Sequence, residues 1–104
     1  MAYIEFSPGI KEIPTNVRIL KSKERERSSA IFRFEDPQCD AQNILSMAMV
    51  DDEGVISCRE VRAKFLNGEF KAIEVIYEMQ TSTEWDRFMR FMERFSDDNE
   101  MGMD

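Results

Sequence analysis

Short segments with a two-residue hydrophobic period dominate the first three quarters of the chain. Such alternation, or enrichment in β-branched and aromatic residues, is typical of strands that bury one face. Six segments have this pattern and are predicted to be strands: 3–6, 16–21, 30–35, 46–51, 55–66 and 70–79. Residues 10–15 are predicted to be a connector, because Pro14 disfavours a helix before it.

The fifth and sixth predicted strands are separated by Asn67-Gly68, a strong signal for a two-residue hairpin turn. With those two residues as the turn, Phe65 faces Phe70. The same register has three further predicted pairs: Ala63 with Ala72, Arg62 with Ile73, and Glu60 with Val75. The charged run at 21–29 is predicted to be a solvated hairpin loop between the second and third strands.

The last quarter of the chain changes to a helical period. Thr81 and Glu84 have the spacing of a capping box, in which a threonine begins the helix and a glutamate reaches back to it. At about 100° per residue, six apolar side chains fall on one face: Trp85, Phe88, Met89, Phe91, Met92 and Phe95. Phe91 lies at the edge of this arc and is predicted to be the most exposed of its aromatic residues.

These elements predict an α+β fold with one domain. A mainly antiparallel sheet of about six strands is covered by the C-terminal amphipathic helix, whose wide apolar face needs a sheet to pack against. The domain is predicted over residues 1–96, and the acidic segment 97–104 is predicted to be a flexible tail.

The composition narrows the classes of function. A net charge of −7 disfavours binding to nucleic acid. The chain has no histidine, so the commonest general base and metal ligand are both missing, and neither glycine-rich phosphate-binding motif occurs. We therefore predict no catalytic residues, no metal and no cofactor, and we expect that the protein is not an enzyme.

The two cysteines, Cys39 and Cys58, do not have metal-binding spacing. Two reduced thiols are the favoured interpretation and a disulfide between them is the alternative; a redox role stays open. No segment has the 18 or more apolar residues of a membrane span, and no signal or transit peptide is evident at the start. We therefore expect that the chain acts in the compartment where it is made or that it is already processed.

Basic side chains supply the candidate binding residues. Arg59, Arg62 and Lys64 lie along the fifth predicted strand, where they form either a solvated sheet face or a strip for a partner's tail. Arg87 and Arg90 lie on the polar face of the helix, which is either solvated or docks to an acidic surface. A sheet that does not close also has edge strands, whose unpaired backbone groups can accept a strand from a partner.

The helix segment EWDRFMRFMERF, residues 84–95, resembles the signature of the photosystem II reaction-centre Psb28 family. Shorter stretches resemble the same family, so that the likeness extends from about residue 3 to residue 96: Ile4-Glu5-Phe6, Asn16-Val17-Arg18, Phe32-Arg33-Phe34, Asp51-Asp52-Glu53-Gly54 and Ala63-Lys64-Phe65-Leu66-Asn67-Gly68. Departures at Cys58 and at Glu69-Phe70 suggest a divergent second paralogue.

The resemblance implies a photosystem II assembly factor without a cofactor. Members bind transiently to the cytosolic or stromal face of photosystem II intermediates, peripheral to the thylakoid membrane of a cyanobacterium or chloroplast. The implied partners are the C-terminal tail of the larger inner antenna protein, which joins the sheet, and a stromal loop of a reaction-centre subunit. The alternative is a carrier or catalyst for a pigment or its precursor, with the methionine-rich fourth strand lining an apolar pocket.

Overall fold

Two antiparallel sheets of four strands each share one hydrophobic core with a C-terminal helix. The structure is a computed structural model that describes residues 1–7, 9–21, 27–39, 42, 44 and 46–99. In chain order, the elements are β1 (Tyr3–Ser7), β2 (Ile10–Glu12), β3 (Asn16–Lys21), β4 (Ser28–Glu35), β5 (Met47–Asp51), β6 (Gly54–Cys58), β7 (Val61–Leu66), β8 (Glu69–Met79) and α1 (Ser82–Asn99).

The strand order shows how the two sheets are built. The first sheet has the order β2-β1-β5-β6 and the second has the order β3-β4-β8-β7. Every described pairing is antiparallel. The predicted α+β class, with a helix covering antiparallel strands, is therefore confirmed.

The structure has two more strands than the sequence pattern predicts. One of them, β2, lies in the segment predicted to be a connector, where Ile4 pairs with Glu12. Glu12 is buried, and its carboxylate accepts hydrogen bonds from the backbone N–H groups of Gln38 and Cys39 at 2.9 Å each. Packing against β1 and these two bonds supply the order that the short sequence of β2 does not signal by itself.

The other additional strand arises because the predicted fifth strand is divided between the sheets. Its first part, β6, pairs with β5, and its second part, β7, pairs with β8. The break falls at Arg59 and Glu60, where the Val61 N–H donates to the Arg59 carbonyl at 2.8 Å. Before the break, the buried positions are Ile56 and Cys58. A two-residue period would place the next inward position at Glu60, but Val61 is the residue that turns inward, so the period shifts by one residue at the break.

The β7–β8 hairpin has the predicted turn but not the whole predicted register. Asn67 and Gly68 have φ values of 52° and 81°, and Leu66 pairs with Glu69 across them. Phe65 faces Phe70, as predicted. A bulge then shifts the pairing by one residue, which makes the other three predicted pairs wrong; the observed partners are Lys64 with Ala72, Ala63 with Ile73, Arg62 with Glu74 and Val61 with Val75.

The helix begins at the predicted cap. The Thr81 hydroxyl accepts a hydrogen bond from the Glu84 N–H at 3.1 Å and donates to the Glu84 carboxylate at 3.5 Å. The helix continues to Asn99, three residues into the predicted tail, and residues 100–104 lie outside the described part of the chain.

The apolar face of the helix packs into the core largely as predicted. Phe88 lies edge-on to Phe32, with ring centroids 6.0 Å apart, and Phe6 joins the two sheets through an edge contact with Phe34 at 4.9 Å. The prediction for Phe91 is wrong, because its side chain is fully buried. Trp85 is the half-exposed aromatic residue of this face, and the Lys21 ammonium lies 4.9 Å from its ring centroid.

The charged run at 21–29 connects β3 and β4, which are neighbouring strands of the second sheet. Lys21 at the end of β3 pairs with Ser28 at the start of β4. The connection between them therefore closes a hairpin, as the charged run predicts. Residues 22–26 of this run lie outside the described residues.

Candidate functional site

Strand β7 forms one outer edge of the second sheet and carries most of the predicted basic strip. Its one strand neighbour within the described residues is β8. The Ile76 N–H donates to the Glu60 carbonyl at 3.0 Å, which makes Glu60 and Ile76 a hydrogen-bonded pair. Because hydrogen-bonded and non-hydrogen-bonded pairs alternate in an antiparallel ladder, the backbone groups of Ala63 point away from β8.

The three strip residues are exposed but do not all lie on one strand. Arg62 and Lys64 belong to β7, whereas Arg59 lies in the link between β6 and β7. A groove of about 450 Å³ opens at this link and is bordered by both Arg59 and Arg62. Among the described residues, Arg59, Arg62 and Lys64 make no ion pair.

Apolar side chains are exposed at the tip of the same hairpin. Phe65 and Leu66 are 59% and 61% exposed, and the Phe65 ring is 5.7 Å from the Phe70 ring. The pairing of β4 with β8 ends at Ala72, so the turn extends past the neighbouring strand. The edge of β7 therefore presents together outward-facing backbone groups, two cations with no ion pair in the described part of the chain, and a small apolar tip.

The two predicted helix residues occupy a different setting, because they bind carboxylates of this chain. Arg87 donates two hydrogen bonds to Asp51, with N–O distances of 2.6 and 2.8 Å. Arg90 binds Glu53 at 2.8 and 3.0 Å, and Arg94 contacts both acids at 3.0 and 2.6 Å. These contacts fasten the helix to the turn between β5 and β6.

The electrostatics of this network favour the charged forms of Asp51, Glu53, Arg90 and Arg94. Hydrogen bonds from Arg87 lower the pKa of Asp51 to about 2, against the opposing effect of burial. Hydrogen bonds from Arg90 and then Arg94 lower the pKa of Glu53 to about 2. Hydrogen bonding to Glu53 raises the pKa values of Arg90 and Arg94 in turn. The network therefore remains fully charged at neutral pH.

Nothing in the sequence pattern links the acidic turn at 51–53 to the arginine face of the helix. A signal that this face could meet some acidic segment exists in the helix, where Arg87, Arg90 and Arg94 share one face opposite the apolar arc. The sequence does not say which acidic segment this face meets, because residues 51–53 are far away along the chain. Whether Arg87 and Arg90 also bind a partner stays a prediction.

The methionines that suggested a pigment pocket, and the cysteine thiols that suggested a redox role, lie in the core. Met47 and Met49, on the strand suggested to line a pigment pocket, are fully buried. Burial raises the pKa of the Cys58 thiol, which donates a hydrogen bond to the Ile76 carbonyl at 3.1 Å.

Among the described residues, no three His, Cys, Asp or Glu side chains are grouped as metal ligands. No described helix has the length and apolar character needed to span a bilayer.

Taken together, the fold and the site define a small α+β protein with an exposed cationic sheet edge at β7 and a helix fixed to the β5–β6 turn by ion pairs. The family model for the Psb28 protein matches residues 4–103. A Photosystem II reaction center Psb28 protein from Synechococcus sp. (strain JA-2-3B'a(2-13)) is 68% identical over 103 residues, which cover 99% of each chain.

More distant relatives with the same name also match nearly the whole chain. One from Nostoc punctiforme is 43% identical over 108 residues, covering 99% of this chain and 96% of the relative. One from Guillardia theta is 43% identical over 106 residues, covering 95% and 91%. The chain therefore belongs to the Psb28 family of photosystem II proteins, as the sequence resemblance predicts.

Proposed function

We propose that this protein is a non-catalytic assembly or repair factor that binds photosystem II intermediates transiently by adding a partner strand to its sheet. Membership of the Psb28 family supports the connection to photosystem II. The observation that carries the mode of binding is the outer edge of β7, where the backbone groups of Ala63 point away from β8 and the neighbouring Arg62 and Lys64 make no ion pair with any residue that the structure describes.

The proposed partners are photosystem II core subunits. The C-terminal tail of the larger inner antenna protein adds to the sheet, and a stromal loop of a reaction-centre subunit near the acceptor side makes a second contact. The protein thus acts at the cytosolic or stromal face of the thylakoid membrane and is attached through proteins rather than through a span of its own.

Native gel electrophoresis of membranes from a photosynthetic host tests this function. The host expresses a tagged copy, and the gel is probed for the tag and for core subunits. We expect co-migration with a core complex that lacks the oxygen-evolving subunits. Recovery of the tag only as free protein, under both normal and high light, would contradict the assembly role.

A matched pair of variants tests the contact residues separately from the function. Arg62→Glu/Lys64→Glu reverses two cations that make no ion pair among the described residues, whereas Arg18→Glu reverses an exposed cation on β3, at the opposite edge of the same sheet. The double variant should lose most of its co-migration and Arg18→Glu should retain it. Equal retention by both would reject the β7 edge while leaving the assembly role in place.

A further inference from the structure

The cations of this acidic protein differ in whether they already have a partner. Arg33, Lys71, Arg87, Arg90 and Arg94 all form ion pairs within the chain. Lys11 and Lys21 lie over aromatic rings. In contrast, three of the cations without an ion pair among the described residues follow one another at the β6–β7 link and along β7: Arg59, Arg62 and Lys64.

The two faces of β7 have different chemistry at its open edge. Arg62 and Lys64 are on the outer face, where both are exposed. Val61, Ala63 and Phe65 alternate with them on the face that turns toward the core, and Phe65 extends past the core to contact Phe70. An added strand places alternate side chains beside each of these two rows.

From this arrangement we infer that the β7 edge selects an extended peptide in which acidic and apolar residues alternate. Its acidic side chains lie on the outer face beside Arg62 and Lys64. Its apolar side chains lie on the other face, where they cover Val61 and Ala63 and reach the aromatic pair at the hairpin tip. This inference rests on the proposed strand addition and specifies the chemistry of the partner segment that is added.

The acids described near this edge make no ion pair with its cations. Glu74 is opposite Arg62 on β8, but its carboxylate is paired with Arg33, whose Nη1 is 3.6 Å away. Glu69, beside the turn, pairs with Lys71 at 3.1 Å. Carboxylates on an added strand would therefore meet cations whose outward side is open, and cross-strand pairs of opposite charge stabilise such a ladder.

Binding of labelled peptides to the purified protein tests the inference without any photosystem component. The first peptide has ten residues that alternate glutamate and valine, and fluorescence anisotropy measures its affinity. A second peptide alternates lysine and valine. A third has the composition of the first, but its glutamates are grouped at one end, so that the alternation is lost.

The wild-type protein should bind the glutamate–valine peptide about tenfold more tightly than either of the others, because two cross-strand charge pairs are gained. The Arg62→Glu/Lys64→Glu variant should reverse this preference and favour the lysine–valine peptide by about the same factor. Both positions are exposed, and circular dichroism verifies that the variant is folded. Arg18→Glu, on the β3 edge, should bind as the wild type does.

Three results would overturn the inference: no saturable binding of the glutamate–valine peptide, equal affinity for the two alternating peptides, or a preference that Arg18→Glu alters and the double variant does not. These results are independent of the native-gel experiment. A protein that co-migrates with photosystem II but fails the peptide test would retain the assembly role without this specificity.

Discussion

Asp51 and Arg87 form a two-hydrogen-bond ion pair that joins the end of β5 to the first half of the helix, with N–O distances of 2.6 and 2.8 Å. The Asp51 side chain is only 1% exposed, whereas that of Arg87 is 21% exposed. A charge this well enclosed depends on its partners, because an unpaired buried carboxylate is strongly destabilising.

Replacing Arg87 with methionine should lower the free energy of unfolding by about 2–3 kcal/mol, because Asp51 then retains only Arg94 as a charged partner. Urea denaturation measures the change. The control is Arg90→Met, which removes a more exposed partner of Glu53 and should cost less than about 1 kcal/mol. Equal losses for the two variants would show that burial of Asp51 does not govern the strength of the network.

Acid should weaken the fold through the same carboxylate. The pKa of Asp51 is about 2 in the folded protein, against an ordinary value of 3.8. A lowered folded-state pKa means that the stabilisation is complete above about pH 4 and is lost as the pH falls toward 2, amounting to about 2 kcal/mol. Urea denaturation at several pH values should show that the free energy of unfolding falls between about pH 4 and pH 2. In Asp51→Asn, the contribution of Asp51 to this pH dependence should be absent. An unchanged slope in that variant would contradict the assignment.

The stability of the β7–β8 hairpin should be more sensitive to substitution of Gly68 than to substitution of Asn67. Gly68 has φ of 81°, so Gly68→Val should destabilise the protein by more than about 1 kcal/mol, since a β-branched side chain disfavours this conformation. Asn67→Gly should be nearly neutral, because glycine adopts the observed φ of 52° without steric cost. Thermal unfolding of both variants measures the difference, and similar melting temperatures would argue against a turn of this type.

The burial of Phe91 can be measured against an exposed phenylalanine. Phe91→Ala should reduce the free energy of unfolding by about 3–5 kcal/mol, because it leaves a cavity in the core. Phe65→Ala, at the hairpin tip, should cost less than about 1 kcal/mol because that side chain is already mostly in water. Chemical denaturation measures the free energy of unfolding of both variants. Equal losses would show that the helix is loosely packed around Phe91.

The elements whose order comes from local pattern were predictable from the sequence. Two-residue alternation located the strands with a buried face, Asn67-Gly68 located the hairpin turn, and Thr81 with Glu84 located the start of the helix. In each case a few neighbouring residues carry the physical cause. The family resemblance was also carried by short runs of residues, of which the longest is 84–95 in the helix.

The features that were missed depend on contacts between distant segments. β2 has only three residues and is ordered by β1 and by the bonds from Glu12, neither of which its own pattern encodes. The helix contacts β5 of one sheet and β8 of the other, which encloses Phe91 at the edge of the apolar arc. One clue was available, since the step from Cys58 to Val61 breaks the two-residue period where the chain changes sheets.

In the candidate site too, local features were predictable from the sequence and contacts between distant segments were not. The basic residues of β7 could be chosen from the sequence because they alternate with apolar positions on a predicted strand. That they make no ion pair with the described acids could not be predicted, because it depends on which acids the fold brings near them. The pairing of Arg87 and Arg90 with the acidic turn likewise depends on the approach of the helix to β5 and β6.

The strand order also determines how this chain can be assembled or divided. Each sheet takes two of the first four strands and two of the last four: β1 and β2 combine with β5 and β6, and β3 and β4 combine with β7 and β8. Neither set of four strands can therefore complete a sheet alone. Four of the six described pairings join consecutive strands, whereas the two that complete the sheets, β1 with β5 and β4 with β8, join distant segments and should form late. A cut between β4 and β5 would yield two fragments that each expose unpaired strands and that complement each other when mixed.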